Sequence, residues 1–207
     1  MQVIFLLLAD AMNEGFAMIK TSSKAEAARS IGTIVLGFSA DPILRWLYPE
    51  PQEYLKYFPF LTQLYGGRAF DHDSAYHVDG HLGSALWLPP GVYPDGENLV
   101  SLLQDSLRAS ILDDTFSLLE QMEKFHPDEP CWHLAFVAVD PAQQGKGLGS
   151  RILEHSLKAC DKDRKIAYLE STNPANLSLY NRHGFELVGE MQAGSSPLMF
   201  PMIREPQ

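Results

Sequence analysis

The stretch Val139-Asp140-Pro141-Ala142-Gln143-Gln144-Gly145-Lys146-Gly147-Leu148-Gly149-Ser150 carries the densest chemical signal in the sequence. Its three glycines let the backbone turn sharply, so that successive N–H groups can converge on one point. The helical pattern that starts at its end adds the positive pole of a helix dipole. Together these bind phosphate oxygens with little need for charged side chains. Lys146 and Arg151 are the nearby cations, and no acid falls between 141 and 151. The loop is neither GxxxxGK[ST] nor GxGxxG, but it does fit Q-x-x-G-x-G through Gln144, Gly147 and Gly149. A second cluster gathers Asp71, His72, Asp73, His77, Asp79 and His81. These are ligand-type side chains, but their spacing matches no known ligand set, so the expectation is a solvated acidic hairpin and no metal. Cys131 and Cys160 show neither CxxC nor zinc spacing and have no activating neighbours in sequence. They read as reduced structural thiols of a cytoplasmic protein.

Elements must position these residues. Phe16 to Thr21 reads as a short strand. Ser22 or Ser23 with Glu26 can open a helix whose apolar face is Ala27, Ile31, Ile34, Val35 and Phe38. Asp41-Pro42 stops it. The aromatic stretch from Trp46 to Tyr65, interrupted by prolines 49, 51 and 59, predicts short helices and loops. Ala75–Val78 and Leu82–Leu88 predict two strands joined at Asp79-Gly80 by a two-residue turn. Leu99 to Phe125 has helical periodicity and predicts two helices divided near Asp113-Asp114. Trp132–Val139 predicts a buried strand leading into the glycine loop. The following helix has Leu148, Ile152, Leu153, Leu157 and Cys160 on one face. Ile166–Glu170 is a further strand, and residues 175–183 a short helix ended by Gly184. Two strands close the chain, over 185–191 and 198–203. The alternation gives a mixed α/β chain with no internal repeat.

The loop, together with Leu169-Glu170-Ser171-Thr172, Asn176-Leu177, Tyr180 and Gly184-Phe185, resembles the GNAT N-acetyltransferase superfamily. More narrowly, residues 127–190 are similar to puromycin N-acetyltransferase and its relatives. The resemblance implies a single-domain α/β (α+β) acyltransferase fold over 16–207, preceded by an extension of unassigned role over 1–15. In that fold a central, mixed, largely antiparallel sheet, flanked by helices, splays to admit acetyl-CoA. It further implies that acetyl-CoA is the cosubstrate. Phe136, Val137, Ala138 and Val139 would hold the pantetheine arm. Gln144, Gly145, Lys146, Gly147, Leu148, Gly149 and Ser150 would hold the pyrophosphate. Asn176 would cap the short helix or bond the arm.

The implied reaction joins a primary amine to a thioester carbonyl by direct attack in a ternary complex. It requires a neutral amine and a proton for the departing thiolate. Tyr180 matches the family's proton donor. Glu170 ends a strand beside the slot and could accept the amine's proton, or could anchor the next loop. His133 lies where some members carry a glutamate base; the alternative is a hydrogen-bonded core histidine. Strand alternation puts it on one face with Ala135 and Val137.

Composition sets the outer limits. The chain has 207 residues, long enough for one well-filled core without staples. Sixteen Lys+Arg against twenty-six Asp+Glu give a net charge of −10. That argues against nucleic acid or an anionic membrane as the main partner. The longest apolar run, Val3 to Ala9, is too short to cross a bilayer, lacks a basic flank and reads neither as a span nor as a signal peptide. The expected partner is a small-molecule amine, with a homodimer left open. A protein lysine or N-terminus as acceptor, and a non-catalytic acyl-CoA sensor, are the competing readings.

Overall fold

The computed structural model describes residues 18–207, so the extension expected over 1–15 lies outside the described residues. Strand β1 (Ile19–Thr21) leads to a 3-10 turn at Lys24–Glu26. Glu26 closes the predicted box by accepting from the Ser23 N–H at 3.0 Å and the Ser23 hydroxyl at 2.7 Å. Helix α1 (Ala27–Gly37) buries Ile31, Ile34 and Val35, as its spacing predicts.

The aromatic segment departs from expectation. Helix α2 (Pro42–Leu47) is short, but α3 (Pro51–Gly66) runs unbroken through Pro59. A proline inside a helix costs about 3 kcal/mol. Here the carbonyl it frees belongs to Leu55, which is exposed and can bond water. Burying Tyr54 and Phe58 on the other face contributes roughly 1.5–3 kcal/mol each, enough to hold the helix together.

Strands β2 (Ala75–Val78) and β3 (Gly83–Leu88) pair with Tyr76 opposite Ala85 and His77 opposite Ser84. The connection is therefore residues 79–82 rather than a two-residue turn. It carries positive φ at both Gly80 and His81. Helices α4 (Gly96–Ser106) and α5 (Ala109–Phe125) divide at Leu107-Arg108, not at Asp113-Asp114, because those two backbones are extended. The acidic pair simply rides on α5.

The last third follows the sequence closely: β4 (Trp132–Val139), α6 (Leu148–Asp163), β5 (Ala167–Ser171), α7 (Leu177–Arg182), β6 (Glu186–Leu187) and β7 (Phe200–Arg204). The two closing strands are shorter than predicted, with an isolated bridge between Met191 and Met199. The seven strands form one sheet in the order β1-β2-β3-β4-β5-β7-β6. Only the β4–β5 pair is parallel. One core lies between the sheet and α1 to α5, and the other lies under α6. No helix among the described residues is long and apolar enough to cross a membrane.

Helix α1 sits so close to β4 that a Cβ built on Gly37 would stand 2.7 Å from the Ala138 Cβ and 3.2 Å from the Val139 carbonyl oxygen. At Gly32, on the same helix, nothing lies within 4 Å. Gly37→Ala is expected to destabilise the fold by about 1–2 kcal/mol through overpacking. Gly32→Ala should stabilise it by about 0.5–1 kcal/mol through helix propensity. Urea unfolding of the two variants measures both.

Candidate active site

The site starts with two irregularities in β4. Against β3, Leu86 pairs with Phe136 but Trp87 pairs with Leu134, which leaves Ala135 as an extra residue, a β-bulge. Against β5, pairing stops after Trp132–Ala167 and His133–Tyr168. Beyond His133 the two parallel strands separate, and the β5-facing edge of β4 has no ladder partner.

The bulge corrects the alternation expected for His133. Trp132 and Leu134 pack toward α6, but past the bulge it is Phe136 and Ala138 that pack toward α1 and α3. Val137 moves to the opposite face, while Phe136 joins His133. Both rings stand edge-on to Tyr65, each at 5.7 Å.

His133 and Glu170 meet through Nε2 and Oε2 at 2.9 Å, with both side chains buried. Tyr65 and Tyr168 crowd round them. Burial first, then the Glu170 carboxylate, holds both phenols protonated, well above the ordinary tyrosine pKa. Glu170 lines a cavity of about 130 Å³ at the parting of the strands, whereas His133 stands behind it. Tyr180 lines the same cavity from the other side: it belongs to the core under α6 and packs edge-on to Phe185 at 6.0 Å. Burial raises the Tyr180 pKa, with a smaller push from Asp41. The strand gap therefore brings a carboxylate and a phenol together from opposite faces of the sheet.

Asn176 also lines the cavity, but the cap of the following turn is the Asn173 side chain, which accepts from the Ala175 N–H at 3.0 Å. Asp41 is a site residue the sequence reading missed. It caps α2 by accepting from Ile43 and Leu44 N–H at 3.0 and 3.1 Å, and it takes the Thr172 hydroxyl from the end of β5. The signal was present, since Asp before Pro is a helix start as well as a stop. Apart from Glu170, the described residues lining the cavity are uncharged. Trp46, Leu47, Leu61, Leu103, Leu118 and Met122 form most of its far wall.

The glycine loop leaves the end of β4. Asp140 is pinned by its N–H to the Leu82 carbonyl at 3.0 Å, and Gln144 Nε2 donates to the Val139 carbonyl at 3.2 Å. Gly145 and Gly147 both have φ of +77°, and a Cβ at either would project into open space. Lys146 donates to Gln143 at 2.8 Å, and the Ser150 hydroxyl bonds His183 Nε2 at 2.7 Å. The first helical bond of α6 runs from Arg151 N–H to the Gly147 carbonyl at 3.1 Å. The N–H groups of Leu148, Gly149 and Ser150 therefore have no partner inside the helix. A positive-φ cradle that side chains would fill, with free amides at a helix start, fits a pyrophosphate. Cys131 and Cys160 are inert by contrast; burial pushes their thiols up to about 11 and about 12.

Residues 106–185 match the model of the acetyltransferase (GNAT) family. An uncharacterized N-acetyltransferase of Schizosaccharomyces pombe is 24% identical over 199 residues, covering 86% of this chain and 79% of that protein. A solved structure from Corynebacterium glutamicum, described as histone acetyltransferase HPA2 and related acetyltransferase, superposes with a TM-score of 0.64 at 23% identity. It covers 93% of this chain and 97% of its own. The polyamine N-acetyltransferase of Drosophila melanogaster reaches the same TM-score of 0.64 at 11% identity, covering 91% of this chain and 99% of its own. At such identities the structural likeness is one of fold. The narrower resemblance to puromycin-type enzymes has no counterpart among these three. The acetyltransferase (GNAT) family match thus takes in the bulged strand, the loop and the Tyr180 helix, within a fold that the solved acetyltransferase structures share over nine-tenths of the chain.

Proposed function

We propose that this protein is an acetyl-CoA-dependent N-acetyltransferase whose acceptor is a small primary amine with one cationic nitrogen and an apolar body. The observation that carries this is the shared cavity of Glu170 and Tyr180 at the strand gap, lined also by Phe136 and Val137 of the strand that leads into the glycine loop. Bound acetyl-CoA would supply the thioester carbonyl that the amine attacks. The loop from Gln144 to Ser150 would hold its pyrophosphate, and the unpaired edge of β4 from Phe136 to Val139 its pantetheine arm.

Glu170 accepts the proton that the ammonium form of the acceptor must lose. His133 is a positioning residue: its Nε2–H donates to the Glu170 carboxylate and fixes it toward the cavity. As the N–C bond forms and the C–S bond breaks, Tyr180 gives its phenolic proton to the departing sulfur. Burial holds the phenol in its protonated form.

The cavity wall argues for the acceptor class. A second ammonium would have to lie against Trp46, Leu47, Leu103, Leu118 and Met122 with no counter-charge, and desolvating it there is costly. One carboxylate in an apolar slot suits a monoamine better than a diamine. The acidic surface, net −10, favours approach of a cation.

Tyr180→Phe and Glu170→Gln are each expected to lower kcat by about 10²–10⁴ with little change in acetyl-CoA affinity, as followed by free-thiol release and calorimetry. Gly147→Val should abolish the rise in melting temperature that acetyl-CoA gives, through a strained backbone and a filled cradle. An acceptor panel should rank arylalkyl and alkyl monoamines above diamines and lysine peptides. Preference for peptides would make the acceptor a protein. Acetyl-CoA stabilisation with no acceptor at all would make the chain a sensor.

A further inference from the structure

Around the β2–β3 turn Asp71, His72, Asp73 and Asp79 are exposed, as the composition suggests, but the other two histidines are not. His77 on β2 and His81 in the turn after it are 3% and 8% exposed, and their rings stack at 4.1 Å with an interplanar angle of 6°. Each Nδ1 faces a serine: His77 bonds Ser22 Oγ at 2.8 Å, His81 lies 3.4 Å from Ser30 Oγ, and the two hydroxyls bond each other at 3.0 Å. Each Nε2 faces Glu26 Oε1, at 4.0 Å from His77 and 3.9 Å from His81. The other oxygen of Glu26 is occupied by Ser23, so Oε1 is the one presented. His81 Nε2 is buried and has no hydrogen-bond partner.

These distances are too long for hydrogen bonds. If both imidazoles donate through Nδ1 to their serines, two bare lone pairs face a carboxylate, an arrangement that calls for a cation between them. Burial is the main influence on both rings and favours their neutral, ligating form. The serines then play the part of the outer groups that orient metal-bound histidines. With Zn–N and Zn–O bonds of about 2.0–2.2 Å, ligand atoms across a tetrahedral ion lie roughly 3.4 Å apart; the two Nε2–Oε1 spacings need to close by about half an ångström, and all three ligand atoms already lie within 4.8 Å of one another. The stacked rings would fan apart as their Nε2 edges turn inward. Glu26 is partly exposed, which leaves a path for the ion and room for water as a further ligand.

We propose that Glu26, His77 and His81 form a divalent transition-metal site, with zinc as the expected ion. It would tie the start of α1 to the turn between β2 and β3. That turn also anchors the anion-binding loop: Thr33 holds the His81 carbonyl at 2.8 Å, and Leu82 holds Asp140. The site is separate from the strand gap and does not depend on the proposed activity.

The test is calorimetric titration of zinc sulfate into the tag-free, chelator-stripped full chain, with melting curves in parallel. One equivalent of zinc should bind with a Kd of about 1 μM or tighter, roughly −8.2 kcal/mol, and raise the melting temperature. Glu26→Gln keeps the capping-box chemistry and so should fold, yet it should weaken zinc at least tenfold. His81→Ala should do the same, and His72→Ala, at an exposed neighbour, should change nothing. Cobalt should give visible d–d bands in the parent chain that Glu26→Gln lacks. Absence of zinc binding, or equal binding by Glu26→Gln and the parent, would overturn the proposal and leave a water-bridged histidine pair.

Discussion

A parallel strand pair that stops pairing after two residues is the constraint on which the site depends. Backbone N–H and C=O groups inside a sheet are normally committed to a neighbour. Where β4 separates from β5 after His133, that commitment is released along one edge from the bulge to Val139, inside a protein core. Such an edge needs partners other than a strand, from water or from a ligand. The bulge at Ala135 re-aims the side chains at the same point. Glu170 and Tyr180 can then reach a single cavity although they belong to opposite faces of the sheet.

Two tethers flank that opening. Asp41 links the cap of α2 to Thr172 at the end of β5, the strand that carries Glu170. Burial raises the Asp41 pKa, against the pull of its hydrogen bonds to Thr172, Leu44 and Ile43, which is why all of its partners matter. On the far side, Arg204 of β7 donates to both carboxylate oxygens of Asp161, at 2.7 and 3.1 Å, and its Nε donates to the His183 carbonyl at 2.9 Å. This holds the end of α6 and the end of α7 together beneath Tyr180.

Legibility from sequence followed how local the determining physics was. The glycine loop, the apolar face of α6 and the stop at Gly184 are written in adjacent residues, and all stand where the pattern puts them. The Ser23–Glu26 box is equally local. The long helix through Pro59 was not legible, because what holds it is burial of Tyr54 and Phe58 against elements distant in sequence. The bulge left no trace: Ala135 is an ordinary residue in an ordinary strand pattern, and only the register against β3 displaces it. For the same reason the Glu170–His133 contact, between residues on two strands, came out of sequence as two separate candidates rather than one unit. The burial of His77 and His81 escaped composition, since the surrounding aspartates suggest solvent while Ser22 and Ser30 pack over the rings.

The anion cradle has one more consequence, for how such a protein can change over time. Its offered groups are main-chain amides, which every residue type except proline possesses. Substitution at Gln143 or Lys146 alters side chains that bond each other, half-buried in the first case and exposed in the second. The binding surface is thus largely invisible to drift, and inheritance polices it only at the positive-φ glycines 145 and 147. The cavity wall, written wholly in side chains, has no such protection. On the proposed function, a lineage can therefore exchange one acceptor for another while its donor site stays unchanged.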